Sequence, residues 1–190
     1  MEYKGLPLFN LDVVEEIPGV ELISLVDSPA VEREFVRFNA EWAEIKMRVN
    51  DEKRVVTGVA LIPGQKIYRK DPKGNGYYVQ FSREAIERVV VRYFEDRHSA
   101  DANLEHEYAV NGVVYFESYL INRERGILPA EFADLPDGTW IVSAKILNDG
   151  VWELIKKGAL RGFSIEGHLA ATETEIDTLE DLLDYINNYK

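Results

Sequence analysis

The sequence predicts an α+β fold, mainly of antiparallel strands that form a closed or curled β-barrel flanked by short helices. Three observations lead to this prediction. Runs of β-branched and aromatic residues have the length of strands and are separated by turn residues. A few amphipathic stretches follow N-capping residues and indicate short helices. The regular strand–helix–strand alternation that is typical of a parallel sheet is missing.

Composition indicates a soluble globular chain. The 190 residues are 46% hydrophobic and 29% charged, which suits one domain with an appended arm. The net charge of −12 repels phosphate backbones and anionic lipid, so we predict no nucleic-acid partner and no membrane partner. Cysteine is absent, which excludes disulfides, thiolate zinc sites and a cysteine nucleophile. We also expect no secretory signal and no membrane-spanning segment.

Three segments are predicted along the chain. Residues 1–50 scatter prolines among short apolar stretches and are interpreted as an N-terminal arm or a first hairpin. Residues 51–170 carry the strand and helix patterns of the barrel domain. Residues 171–190 are interpreted as an acidic C-terminal helix or tail, with Thr178 as a possible N-cap.

The first half of the predicted barrel contains two strands and a helix. An apolar run starts at Val55 and is halted by Pro63, and a second strand spans Tyr77–Phe81 after a turn-rich loop. Ser82 can cap the helix that follows. Its apolar positions recur at the spacing of one buried helical face, at Ile86, Val89, Val90 and Tyr93.

The second half of the predicted barrel contains three further strands. Gly112–Ile121 and Gly138–Leu147 are long β-branched and aromatic runs, as expected of central strands. Asn148 or Asp149 can cap a short helix that ends at Gly158. The last strand spans Arg161–Ala170.

Ser164 on the last strand is a candidate nucleophile. Strand alternation places it on one polar face with Glu166 and His168. Gly162 and Gly167 leave room for a bound peptide to approach. The alternative interpretation is an ordinary serine on a half-exposed strand. The G-x-S-x-x-G spacing also differs from the G-x-S-x-G elbow of α/β-hydrolases, which makes that class unfavourable.

A serine nucleophile needs a base, and the base needs an orienting group. His106 precedes a strand and is the candidate base; the alternative is a solvated loop histidine. Glu117, in an otherwise apolar strand, is the candidate orienting group, and the alternative is an outward-facing glutamate in an ion pair. His168 is the rival for that role, since it shares a strand face with Ser164. Its separation of four residues, about 13 Å along a strand, argues against it as the base for that serine unless a curl or bulge changes the geometry.

The sequence offers no support for a metal or a cofactor. Two histidines and a carboxylate could in principle hold zinc, but neither His106 nor His168 has the H-E-x-x-H spacing. The glycine-containing segment GQKIYRKDPKGNG lacks the order of a phosphate-binding P-loop. We therefore predict neither.

Several blocks match a known family in both order and spacing. They are LISLVDSPAVEREFVRF, VTGVALIPGQKIYR, GYYVQFSREAIERVV, NLEHEYAVNGVVYFESYLI and GTWIVSAKILNDGVWELIKKGALRGFSIEG. In these blocks the chain resembles the prohead, or capsid maturation, serine proteases of tailed phages, in the XkdF-like branch, which are related to the herpesvirus assembly protease. The C-terminal tail is matched least.

The resemblance implies a herpesvirus-protease-like barrel and a serine endopeptidase. The family's nucleophile corresponds to Ser164 and its base to His106, while Glu117 is the position matched to the third member, with His168 as the rival. It further implies that the enzyme cleaves phage scaffold and major capsid proteins inside the immature capsid, in the host cytoplasm. A homodimer or higher homo-oligomer is left open. The alternative function is a non-catalytic capsid-assembly or scaffold-associated module with the same fold.

Overall fold

The structure, a computed structural model, describes residues 2–14, 19–30, 36–37, 53–70, 73–100 and 102–172. These ranges contain thirteen strands and two α-helices. The strands are β1 (Glu2–Tyr3), β2 (Leu6–Asp12), β3 (Gly19–Val26), β4 (Val36–Arg37), β5 (Val55–Leu61), β6 (Ile67–Lys70), β7 (Gly76–Phe81), β8 (Ala102–Leu104), β9 (Tyr108–Ala109), β10 (Val113–Leu120), β11 (Trp140–Ile146), β12 (Gly162–His168) and β13 (Ala170–Thr172). The helices are α1 (Arg83–Glu95) and α2 (Asp149–Lys156).

The strands pair into three sheets. One has the order β1-β2-β7-β6, with β13 also paired to β2; the second is β10-β11-β5-β4; the third is β12-β3-β8-β9. Most pairs are antiparallel, but β2 with β7 and β3 with β8 are parallel. The α+β, mainly antiparallel class is thus confirmed. Within the described ranges the pairing does not close one sheet on itself, so the predicted barrel is not confirmed.

Several predicted elements are confirmed, with small shifts at their ends. Strands β5, β7, β10 and β11 and both helices lie where the patterns indicate. Ser82 caps α1, since its side chain accepts a hydrogen bond from the Ala85 N–H at 3.1 Å. Asn148 caps α2 in the same way through the Val151 N–H, also at 3.1 Å. These contacts satisfy backbone donors that the first helical turn leaves unpaired.

The N-terminal residues contribute strands to two of the sheets. Strands β1 and β2 form a hairpin, and β2 continues alongside β7. Strand β3 lies between β12 and β8, and its side chains at Val20, Ile23 and Leu25 are fully buried. The proposed domain boundaries stay a prediction. The predicted C-terminal helix after Thr178 lies outside the described residues.

Aromatic side chains fill the main core and fix β3 against the second sheet. Tyr93 meets Trp140 edge-on with ring centroids 5.6 Å apart, and Tyr115 meets Phe163 at 5.8 Å. The Tyr115 hydroxyl donates a 2.6 Å hydrogen bond to the Ile23 carbonyl oxygen. Burial raises the pKa of Tyr115 well above its usual value, so the phenol stays a donor. This bond links β10 to the centre of β3. No helix in the described part of the chain is long and apolar enough to cross a membrane.

The pairing of β12 with β3 contains an irregularity at Gly167. The register shifts between Glu166 and Gly167, and the two backbones come very close there. A Cβ atom on Gly167 would overlap the Gly19 carbonyl oxygen and lie 2.6 Å from the Val20 Cα. Only glycine fits this position, because the obstructing atoms are backbone and have no side-chain rotation to relieve the contact.

We expect Gly167→Ala to lower the free energy of unfolding by about 3 kcal/mol, since extra atoms in a packed site force strands apart. Urea denaturation followed by circular dichroism measures the change. The matched control is Gly150→Ala in the first turn of α2, where a Cβ would meet only the Asn148 side-chain oxygen, at 3.3 Å. We expect a change of less than about 1 kcal/mol there, the size of the helix preference for alanine over glycine. An unchanged midpoint for Gly167→Ala would show that β3 and β12 separate easily at this point.

Candidate active site

A row of polar side chains crosses the third sheet. Ser164 on β12 is the register partner of Ser24 on β3, and Ser24 is the partner of Asn103 on β8. All three are buried, with exposed fractions of 5%, 0% and 6% respectively. Buried polar groups are costly unless they are hydrogen-bonded. We therefore expect these three side chains to have hydrogen-bond partners and to belong to a functional site.

His106 lies in a tight turn that places it over this row. The turn joins β8 to β9, and the Glu107 N–H donates to the Leu104 carbonyl at 3.1 Å. Both central residues are left-handed, with φ of 51° at Glu105 and 61° at His106. This type I′ geometry favours asparagine and glycine, and non-glycine residues adopt it at a cost of about 1–3 kcal/mol each. Such strain is concentrated at functional sites.

The turn is held in place by β3. The Glu105 N–H donates to the Leu25 carbonyl at 3.1 Å. In return, a Glu105 carboxylate oxygen accepts a hydrogen bond from the Asp27 N–H at 2.6 Å. These two contacts tie both the backbone and the side chain of the turn to the end of the strand that carries Ser24. They offset part of the turn's strain and orient His106.

His106 contacts two oxygens through one ring nitrogen. Its Nδ1 lies 2.9 Å from Ser24 Oγ and 3.3 Å from Glu166 Oε2. Glu166 Oε2 also accepts a 2.8 Å hydrogen bond from Asn103 Nδ2. A carboxylate beside Nδ1 favours the tautomer that carries its proton there, because a lone pair would be repelled. Within the described residues Nε2 has no hydrogen-bond partner, so its lone pair is available as a base.

The site opens into a large cavity of about 970 Å³. Ser164, His106 and Glu166 all line it, whereas Ser24 does not. Its apolar lining comes mainly from strands β2 and β7 of the first sheet. It includes Pro7, Phe9, Leu11, Val79 and Phe81 from these strands and also Leu169. A concave, mostly apolar cleft with a few convergent polar groups is the usual form of a ligand-binding site.

Ser164 and His106 are neighbours without direct contact. No hydrogen bond joins them in the part of the chain that the structure describes. Ser164 lies directly across from Ser24, and antiparallel partners have Cα atoms about 4.5–5.5 Å apart. Ser164 thus lies on the strand next to the one whose Ser24 touches the imidazole. Catalytic hydrogen bonds are often long without substrate and shorten when it binds.

Glu117 lies in a different sheet from Ser164. Its carboxylate accepts a 2.5 Å hydrogen bond from Ser143 Oγ, which in turn lies 2.8 Å from Thr57 Oγ1. Burial, together with the charge of Glu117, raises the pKa of the nearby Tyr119 to about 12. Among the described residues, no hydrogen bond links Glu117 to His106 or Ser164.

His168, the remaining candidate residue, lies at the surface. His168 is 75% exposed and its Nδ1 lies 3.1 Å from Glu21 Oε2. Among the described residues, no group of three or more histidine or carboxylate side chains is arranged to hold a metal ion.

Three residues of this site could not be recognised from the sequence. Strand alternation places Glu166 on the face of Ser164, but nothing in the sequence indicates its contact with His106. Ser24 and Asn103 carried no signal, because their position depends on the pairing of strands that are far apart in sequence. Ser24 and His106, for instance, are 82 positions apart.

A serine, a histidine and a carboxylate around one apolar cleft are the groups used by hydrolases with a serine nucleophile. Residues 43–173 match a family model described as "Putative phage serine protease XkdF". This match covers more than half of the chain, which therefore belongs to the XkdF family of phage serine proteases. It includes Ser164, His106 and Glu166 and excludes Ser24. Neither a curated protein nor a solved structure matches the chain.

Proposed function

We propose that this chain is a serine endopeptidase that cleaves phage scaffold and major capsid proteins during capsid maturation, inside the immature capsid. The observation that carries the proposal is the environment of His106. One ring nitrogen contacts a carboxylate, the other has no hydrogen-bond partner among the described residues, and Ser164 lines the same cavity. Membership of a phage serine protease family supports the substrate class.

In the proposed reaction, Ser164 Oγ attacks the scissile carbonyl carbon while His106 Nε2 takes the hydroxyl proton. Glu166 stabilises the resulting imidazolium through the proton on Nδ1. The imidazolium then gives its Nε2 proton to the leaving amine, the peptide C–N bond breaks, and an acyl-enzyme remains. Water attacks this ester by the same proton transfers and releases the second product and Ser164.

Ser24 is the competing nucleophile, since its hydroxyl already touches the imidazole. Three observations favour Ser164. Ser24 contacts Nδ1, the nitrogen that carries the proton beside Glu166, so Ser24 accepts a hydrogen bond and keeps its own proton. Ser24 is fully buried and does not line the cavity. It also lies outside the residues that match the family. We therefore propose that Ser24 positions His106.

Labelling with a fluorophosphonate tests this assignment, because the reagent modifies only an activated serine. The purified chain is treated with the probe, digested and mapped by mass spectrometry. We expect modification of Ser164. Modification of Ser24 would transfer the nucleophile's role to that residue.

The alternative is a capsid-assembly or scaffold-associated module without catalytic activity. The lack of a hydrogen bond between Ser164 and His106 in the described structure favours it. Co-expression with the scaffold and capsid proteins of the same phage distinguishes the two functions. Unprocessed partners, together with no fluorophosphonate labelling of the chain, would establish the module.

Replacing the positioning hydroxyl should affect turnover and leave substrate binding unchanged. We expect Ser24→Ala to lower kcat by about 10- to 100-fold, because small errors in the position of a catalytic group have effects of this size. KM should change less than twofold, since Ser24 does not line the cavity. Steady-state kinetics on a cleaved peptide measure both. A rise in KM at constant kcat would contradict the positioning role.

A further inference from the structure

Arg69 is a cation in the wall of the cavity. On β6 it is the register partner of Tyr77, as Ile67 is of Val79, and all four residues line the cavity. Strand alternation therefore directs this face of the sheet into the cleft that contains Ser164. Arg69 is the charged member of a face that is otherwise apolar or aromatic.

The Arg69 guanidinium has no carboxylate partner in the described structure. Its hydrogen bond is to the carbonyl oxygen of the preceding residue, Tyr68, at 3.0 Å. Burial lowers the pKa of Arg69, and Tyr77 opposes this effect. A guanidinium that is partly removed from water without a counter-ion is unfavourable by itself. It gains most from an anion that enters the cavity.

The other charged residues that line the cavity also favour an anionic ligand. Lys70 adds a second cation beside Arg69, and among the described residues that line the cavity Glu166 is the one carboxylate. Glu166 already contacts Asn103 and His106. The described part of the lining thus offers uncompensated positive charge, although the whole chain carries a net charge of −12.

We propose that Arg69 forms a subsite for an acidic side chain of the substrate, so that the enzyme selects peptides with aspartate or glutamate at one fixed position near the scissile bond. This inference rests on the proposed function. The guanidinium matches a carboxylate through two parallel hydrogen bonds, which give both affinity and orientation. The apolar surface of the same sheet packs against the neighbouring substrate residues.

Digestion of a mixed peptide library, with cleavage sites read by mass spectrometry, tests the subsite. We expect wild-type cleavage sites to be enriched in aspartate or glutamate at one position. Arg69→Gln should reduce kcat/KM for such peptides at least about tenfold relative to peptides with glutamine there, the ratio for a charge-assisted pair of about 1.4 kcal/mol. Arg69→Glu should move the preference to lysine and arginine.

Lys66→Gln is the matched control, since Lys66 is a nearby cation that donates to the Gly64 carbonyl and does not line the cavity. It should keep the wild-type preference. Wild-type cleavage without an acidic preference, or an unchanged preference in Arg69→Gln, would overturn the subsite while leaving the protease function intact. A wild-type protein that cleaves nothing and is not labelled by a fluorophosphonate would instead refute the protease function itself.

Discussion

Ser164→Ala is expected to abolish peptide cleavage, with kcat lowered by about 10⁶-fold, the size of the effect when a serine protease loses its nucleophile. The reason is chemical: the alanine has no oxygen to form the acyl-enzyme, and Ser24, whose hydroxyl contacts His106, does not line the cavity. Cleavage of the co-expressed capsid and scaffold proteins, followed by gel electrophoresis, measures the loss. Fluorophosphonate labelling should disappear as well.

Ser24→Ala is the matched control for that variant. It removes the same hydroxyl from the register partner directly across the sheet, so both variants change the core by one oxygen. Labelling should persist in Ser24→Ala, and circular dichroism should show both proteins folded. If Ser164→Ala still processes the capsid protein, Ser164 is not the nucleophile.

The second large effect is expected for Glu166→Gln. Asn103 Nδ2 and His106 Nδ1 contact the same carboxylate oxygen, so the glutamine amide oxygen takes its place and the negative charge that stabilises the imidazolium is lost. We expect kcat to fall by about 10²- to 10⁴-fold, the contribution of a positioned general base. Glutamine is close in shape to glutamate and can still accept from Asn103 Nδ2 through its oxygen. The fold should therefore be preserved, and steady-state kinetics should show the loss in kcat.

Glu117→Gln is the corresponding control in the other sheet. Its amide oxygen can still accept from Ser143 Oγ, so we expect activity within about threefold of wild type, as for a substitution away from the reacting groups. A loss in Glu117→Gln as large as that in Glu166→Gln would return the orienting role to Glu117, as the family resemblance implied. Equal activity of wild type and Glu166→Gln would leave His106 without its proposed carboxylate partner.

Local patterns predicted much of the secondary structure. The caps of α1 and α2 depend on one side chain and a backbone N–H three residues away, so Ser82 and Asn148 could be identified from sequence. Strands β5 and β11 are almost fully buried, whereas β10 is only partly buried; all three appear in the sequence as long runs of β-branched and aromatic residues. For residues 1–50 the sequence left an arm and a first hairpin open and did not delimit β2 and β3, because prolines and charged residues interrupt the apolar runs. The stability of these strands comes from pairing with β7, β8 and β12.

Some residues of the candidate site could likewise be predicted from the sequence, and others could not. Ser164 and His106 could be singled out because each has a recognisable sequence context, and both line one cavity. The third member, left open between Glu117 and His168, could not be identified from the sequence, because it depends on which sheet each strand joins. Glu117 and Glu166 look alike as acids in apolar strands, yet only Glu166 lies beside a hairpin that brings a histidine.

The amino-acid sequence alone determined the fold class, the helix caps, the family resemblance and the two residues proposed for proton transfer. These features are encoded in residues close together in the chain or in blocks whose order identifies a family. Tertiary structure alone decided the partners of His106, the polar row through Ser24 and the cation in the cleft. Such contacts join segments that are distant in sequence, and their geometry exists only after the strands have paired.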